Sequence, residues 1–228
     1  MALFPGLNPE INLTSIDKET TEWDKIERYF HTTQGSTHNL SVDLVDVFRI
    51  EKPEATPRPK FSGEKILLWH GTKQSNIPLI LNEGLLMEPT QKAVVRRNGL
   101  MFGKGIYFAD SFSKSAQYSS GGVNSSYIFL CEVALGNVFI AFNSITQPTI
   151  DVIIKNGYDS IKGVGKTSAY DLDGEFLGNA RVPSGVLGSL PVENDHAALM
   201  YNEYIVYDDH RVKLKYLVHF ENRNRVRR

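Results

Sequence analysis

Four strongly apolar segments occupy much of the C-terminal half of the chain: SYIFLCEVAL (126–135), NVFIAF (137–142), MYNEYIVYD (200–208) and RVKLKYLVHF (211–220). They are rich in β-branched and aromatic residues, and their pattern shows no helices intervening between the strands. Parallel neighbours need long crossovers, usually helical, so strands arranged this way pair mostly antiparallel. This predicts an α+β fold with a mostly antiparallel sheet and excludes a doubly wound parallel one.

The N-terminal half alternates more. Asp17 reads as the N-cap of a helix to about Phe30, with Trp23, Ile26 and Phe30 on one face. SVDLVDVFRIE (41–51) is apolar on both faces, which suits a central strand, and Pro53, Pro57 and Pro59 then mark a surface loop. From Glu64 the pattern is strand then helix, twice. EKILLWHG (64–71) precedes a short helix capped by Asn76 or Ser75, with Pro78 early and Gly84 at its end. A polar, basic loop (88–99) leads to the glycine-punctuated MFGKGIYFAD (101–110) and a helix of about 111–119. Residues 1–16 read as a lead-in, 17–220 as one domain, and 221–228, with Arg223, Arg225, Arg227 and Arg228, as a basic tail that is solvated.

Composition narrows the function classes. At 41% hydrophobic and 11% aromatic, 228 residues can build a core without metal or disulfide staples. Cys131 is the single cysteine, so neither an internal disulfide nor a cysteine-rich zinc site is available. With 25 Lys+Arg against 26 Asp+Glu the net charge is −1, which lacks the footprint of a dedicated nucleic-acid binder. No apolar run approaches the ~20 residues needed to span a bilayer, and Met1–Glu10 carry no secretory pattern. The expectation is an intracellular, soluble, monomeric domain.

Three features bear on chemistry. Alternation along MYNEYIVYD puts Tyr201, Glu203, Ile205 and Tyr207 on one face, where a carboxylate is costly to bury without partners. From the strand alone, the simpler account is a half-exposed Glu203 that is solvated or paired with a cross-strand lysine. His70 ends an apolar strand beside Gly71, which permits close backbone approach to a ligand, although a structural His also fits. Gly103 and Gly105 are compatible with a mere bulge. GVGKTS (163–168) is not a nucleotide-triphosphate loop: Ser160 stands where the leading glycine belongs, and the turn-like residues from Tyr170 to Gly174 follow in place of a helix.

Taken in order, LLWHGT (67–72), MFGKGIYFADSFSKSAQY (101–118), EVALGN (132–137), GVGKT (163–167) and LMYNEYIVYD (199–208) closely resemble the catalytic domain of the poly(ADP-ribose) polymerase family, nearest its DNA-damage-responsive members. The similarity runs from about Lys18 to Phe220. It implies an ADP-ribosyltransferase fold, two roughly perpendicular antiparallel sheets around an NAD cleft with flanking helices. It also implies a His–Tyr–Glu set, here His70, Tyr107 and Glu203. By the same resemblance His70 contacts the adenosine ribose, Gly71 offers its backbone to the nicotinamide amide, and Ser115 donates to that amide. Tyr107 and Tyr118 flank the ring, Thr72 and Asn76 lie toward the adenosine, and Lys114 sits near Glu203. Phe108 and Ala109 complete the NAD-binding set.

The implied activity is transfer of ADP-ribose from NAD, a co-substrate, to protein acceptors including the chain itself, without a metal. Mono-transfer, NAD hydrolysis and simple NAD or ADP-ribose binding are the rivals, and the presence of Glu203 favours the polymerase. A nuclear or cytoplasmic location accompanies that reading, with no membrane partner and no nucleic acid expected. Two positions depart from the family. Leu86 stands where relatives often carry Arg near the adenine, and Leu100 where they often have an aromatic residue. The chain also begins just before the catalytic fold, which implies turnover independent of DNA breaks.

Overall fold

The computed structural model describes residues 4–53, 64–87, 101–119, 125–169, 175–189 and 196–223. The chain begins β1 (Asn12–Ser15), α1 (Thr21–Thr32), β2 (Val42–Glu51), β3 (Lys65–His70), α2 (Ile77–Glu83), β4 (Ile106–Phe108), α3 (Phe112–Ala116) and β5 (Ser125–Ala134). It continues β6 (Val138–Ala141), α4 (Gln147–Lys155), β7 (Ser160–Gly163), β8 (Gly165–Ala169), β9 (Phe176–Leu177) and β10 (Ala180–Arg181). The last strands are β11 (Leu187–Ser189), β12 (Leu199–Tyr201), β13 (Glu203–Val206) and β14 (Val212–Asn222).

The α+β class is as expected. Among the described residues the strands form three sheets, ordered β1-β2-β14-β5-β3-β10-β9, β4-β13-β7-β6 and β11-β8-β12. The long strands pair antiparallel, as their sequence pattern required. Three short pairings are parallel: β3 with β10, β6 with β7, and β8 with β12. One of these has a plain cause. Helix α4, which the strand-only reading of the C-terminal half missed, is the crossover that lets β7 run alongside β6. Its signals are Pro148 in the first turn and Ile150 and Ile153 buried three residues apart.

The central strands β3, β5 and β14 divide the core. Leu67 and Trp69 point to one side, where Trp23, Ile26, Tyr29 and Phe30 of α1 meet Phe112 of α3. Ile66 and Leu68 point to the other, packing with Ile77 and Leu81 of α2 and with Phe108 and Tyr204 from the second sheet. That is the period-two alternation of a strand buried on both faces. A third cluster, Phe102, Ile150, Ile153, Ile161 and Ile205, anchors α4 beneath the second sheet.

Several boundaries differ from the sequence expectation. The N-cap of α1 is Thr20, whose extended backbone lets its hydroxyl accept from Trp23 N at 3.3 Å. Asp17 instead closes the preceding turn, accepting from Glu19 N at 3.0 Å. Replacing Thr20 by Ala is expected to cost about 1 kcal/mol, measurable by denaturant unfolding. Asn12–Ser15, within the lead-in, form an edge strand on β2. GVGKTS, for which the sequence suggested no element, spans the end of β7 at Gly163 and the start of β8 at Gly165. MYNEYIVYD is cut at Asn202 into β12 and β13, which belong to different sheets. The 88–99 loop, the Pro57–Pro59 stretch, Leu100, the turn-like residues 170–174 and the tail beyond Arg223 lie outside the described residues. No described helix is long and apolar enough to cross a membrane.

Candidate active site

The ends of three strands and helix α3 converge on one place. Strand β3 delivers His70 at its last residue, with Nδ1 2.8 Å from the Tyr107 carbonyl of β4. A carbonyl only accepts, so Nδ1 carries the hydrogen. Burial holds the imidazole pKa below its ordinary value, partly opposed by this bond. The neutral ring therefore leaves Nε2 as an acceptor. On its flank, the Phe108 ring lies 5.6 Å from the imidazole.

Tyr107 is fixed at both ends of its polar group. Its hydroxyl donates to Gly103 O at 2.8 Å and accepts from Phe102 N at 3.0 Å. Burial pushes its pKa up to about 12, helped by the Glu203 charge, so it stays a neutral phenol. Gly103 has φ +64°, a conformation that side chains strain to adopt, and this turns its carbonyl onto Tyr107. The glycine read from sequence as compatible with a bulge serves the site.

Gly71 follows β3 where no side chain fits: a Cβ there would stand 1.7 Å from the Ser115 carbonyl. Helix α3 approaches that closely because Ser111 caps it and Ala109 is tied to Trp69 by two backbone bonds of 2.9 and 3.0 Å. Ala109 and Phe108 are themselves buried. Ser115 donates to Trp69 O at 3.0 Å, and Tyr118 stands exposed just beyond α3. Asn76 does not cap α2 through its side chain; it donates to Thr72 Oγ1 at 3.1 Å, joining two of the residues expected toward the adenosine.

Glu203 begins β13 and meets Lys114 of α3, Nζ to Oε1 3.0 Å, with both side chains largely buried. Lys114 Nζ also donates to Tyr201 O at 2.8 Å and to Asn202 O at 3.4 Å. Burial lowers the Lys114 pKa, and the Glu203 charge opposes this. The other carboxylate oxygen, Oε2, is buried and has no hydrogen-bond partner among the described residues. An unmet carboxylate oxygen is costly in a protein interior, and it marks where a hydroxyl or a developing positive charge would be received. Tyr118 feels the same charge, which adds to burial in raising its pKa.

The structure thus joins His70 to Tyr107, Gly71 to Ser115, and Glu203 to Lys114, with Tyr107 and Tyr118 both within the field of Glu203. Glu132, the carboxylate of the EVALGN segment, is instead paired with Lys65 at 2.8 Å and Lys215 at 3.7 Å. Sequence reasoning did not single out Asp110, Asn202 or His38, which bond to one another or to residues of these same elements. His38 Nδ1 lies 2.8 Å from Ser113 Oγ, and its ring packs 4.8 Å from Tyr201. No local pattern marks His38, whereas Asp110, charged at the end of an apolar run, was a readable signal. Asp208, Asp209 and His210 bring ligating atoms within 4.8 Å of one another in a surface groove that shares no residue with this site. Asp208 there already accepts from His210 N at 2.9 Å.

Comparison with known proteins bears on the family of the chain. The family model described as the poly(ADP-ribose) polymerase catalytic domain matches residues 20–222. The chain belongs to that family. It is 38% identical over 211 residues to poly [ADP-ribose] polymerase 1 of Gallus gallus, covering 89% of this chain and 20% of that protein. Poly [ADP-ribose] polymerase 1 of Caenorhabditis elegans is 35% identical over 207 residues, 86% of this chain and 21% of its own length. Poly [ADP-ribose] polymerase 2 of Zea mays is 36% identical over 216 residues, 91% of this chain and 32% of its own length. The chain therefore spans about a fifth to a third of these curated relatives.

Proposed function

We propose that the chain is an NAD-dependent ADP-ribosyltransferase that releases nicotinamide and elongates poly(ADP-ribose) on protein acceptors, itself included, inside the cell. The observation that carries this reading is the buried, unpartnered Oε2 of Glu203 beside two tyrosines. Nicotinamide leaves a ribose carbon as a neutral molecule, taking the electron pair of the broken C–N bond, so no acid is needed for the leaving group. What the reaction needs is stabilisation of an oxocarbenium-like ribose, as in glycoside hydrolysis. One carboxylate supplies that and can hold an acceptor hydroxyl, whose oxygen forms the new bond while its proton passes to the carboxylate or solvent.

The remaining residues bind. Gly71 presents backbone N–H and C=O to the nicotinamide amide, and the ring lies between Tyr107 and Tyr118. Ser115 has one proton, now on Trp69 O, so it either accepts from the amide nitrogen as it stands or swings away to donate. Neutral His70 receives a ribose hydroxyl at Nε2, and Thr72 and Asn76 lie toward the adenosine. Leu86 is half-buried and offers the adenine only an apolar contact. The Lys114 ammonium keeps Glu203 oriented. No metal is required by this chemistry.

Incubation with NAD labelled in its adenine moiety tests the reading. A label that builds into long protein-bound chains is the expected result. Label appearing only as free ADP-ribose would make the chain a hydrolase, a single unit on protein a mono-transferase, and no turnover a binding module. A benzamide-type competitor, its carboxamide already fixed on an aromatic ring, is expected to raise the apparent KM for NAD at constant kcat. Non-competitive behaviour, or no inhibition at millimolar concentration, would overturn the nicotinamide pocket as drawn.

A further inference from the structure

Behind Glu203 lies a second buried carboxylate that the mechanism does not use. Asp110, 2% exposed, ends the GIYFAD segment directly after Ala109. Its Oδ2 accepts from Asn202 Nδ2 at 2.7 Å and from the Tyr204 hydroxyl at 3.1 Å. Those two residues flank Glu203 in sequence. Glu203 and Tyr204 are consecutive in β13 and so point to opposite faces, and Asn202 reaches the same Asp110 oxygen as Tyr204. One oxygen atom therefore pins both neighbours of Glu203 from the rear.

The grip extends further through Asn202. Its Oδ1 accepts from Gly165 N at 2.9 Å, and its Nδ2 also reaches Ser168 Oγ at 2.8 Å. This is the point where the strand breaks between two sheets, so the backbone there has no continuous ladder to hold it. The carbonyls of Tyr201 and Asn202, whose direction this anchoring sets, are the ones that receive Lys114. Meanwhile Asp110 Oδ1 is buried without a partner among the described residues. A half-satisfied carboxylate is a poor device for stabilising a core, where apolar packing does as well or better. Its hydrogen bonds go to the two residues that determine where Glu203 points.

We propose that Asp110 is a positioning residue: by holding Asn202 and Tyr204 it sets the aim of the Glu203 carboxylate and of the Lys114 ammonium that steadies it. This rests on Glu203 being the catalytic carboxylate. A displacement of about 1 Å at such a group is enough to cost on the order of 10²-fold in rate without touching the binding contacts.

The test compares Asp110→Ala and Asp110→Asn in the full chain, with Glu203→Gln alongside, measuring kcat, KM for NAD, benzamide affinity and thermal midpoint. Asp110→Ala is expected to lower kcat at least tenfold while KM and benzamide affinity move less than about twofold. Asp110→Asn is expected to recover kcat to within about threefold of the parent, because an amide oxygen can accept both hydrogen bonds. Unchanged kcat in the Ala variant would overturn the proposal. So would parallel loss of benzamide affinity, or an Asn variant no better than Ala. If Asp110→Ala does not fold, Tyr204→Phe replaces it. That variant removes one donor and leaves the ring, and at least a threefold loss confined to kcat is expected; an unchanged kcat overturns the proposal. Near-normal polymer synthesis in Glu203→Gln would instead refute the reading on which all of this rests, so the two failures are told apart.

Discussion

Glu203→Gln is expected to abolish polymer formation and leave NAD binding nearly intact. The substitution preserves size and hydrogen-bonding reach and removes one charge. Gln Oε1 can still accept from Lys114, and Lys114 retains the carbonyls of Tyr201 and Asn202, so the local fold has what it needs to persist. The difference falls on the oxygen that now lacks a partner, the one facing the reacting ribose in the proposed mechanism. An interaction made only in the transition state lowers kcat and kcat/KM together. Losing one electrostatic or acid–base contribution of this kind costs about 10²–10⁴ in rate, roughly 3–5 kcal/mol. NAD affinity should shift by less than about 1 kcal/mol, because His70, Gly71 and Ser115 are untouched. Single-turnover kinetics with labelled NAD, combined with equilibrium binding, separates the two. Near-normal polymer synthesis in the variant would remove Glu203 from the catalytic role.

Gly71→Ala is expected to fail in the opposite way. The new methyl would lie 1.7 Å from the Ser115 carbonyl and 3.3 Å from Tyr118 Cβ. Backbone cannot yield as a flexible side chain would, so α3 must shift outward. Overpacking of this sort costs about 1–3 kcal/mol of stability. The larger consequence is for the pocket. Gly71, Ser115 and Tyr118 are three of its four proposed nicotinamide contacts, and the substitution separates the first from the other two. Benzamide affinity should fall by about 10²-fold or more, at roughly 1.4 kcal/mol per tenfold, and NAD binding should weaken with it. Isothermal titration of benzamide against the folded variant measures this. Unaltered affinity would mean that the nicotinamide lies elsewhere.

The strands 64–71 and 126–135 could be read because burial on both faces leaves the apolar runs ILLW and YIFLC, and 211–220 because apolar residues alternate with Lys213 and Lys215 before the run YLV; these become β3, β5 and β14. Helix α1 could be read from Trp23, Ile26 and Phe30, although its cap could not. Asp17 and Thr20 are both good capping residues, and the choice depended on which one the chain enters in an extended conformation. Helix α4 escaped because nine residues give little periodicity, and with it went the parallel pairing of β6 and β7.

At the site, motif order singled out the residues but was silent on their state. Linear sequence determined that His70, Gly71, Tyr107, Ser115 and Glu203 are present, in an order and spacing that resembles one family. It also determined that a carboxylate would stand on an aromatic strand face, where burial makes it costly. Only tertiary structure decided which of the two strand carboxylates, Glu132 or Glu203, is left with an unmet oxygen. Glu132 and Glu203 both sit in apolar strands, yet β3 and β14 bring Lys65 and Lys215 to the first, while Lys114 meets only one oxygen of the second. It also decided that a continuous-looking strand breaks at Asn202, with Asp110 behind the break. Hydrogen-bond partners 90 or more positions apart leave no periodicity to detect, because what joins them is the path of the backbone between sheets rather than any local preference.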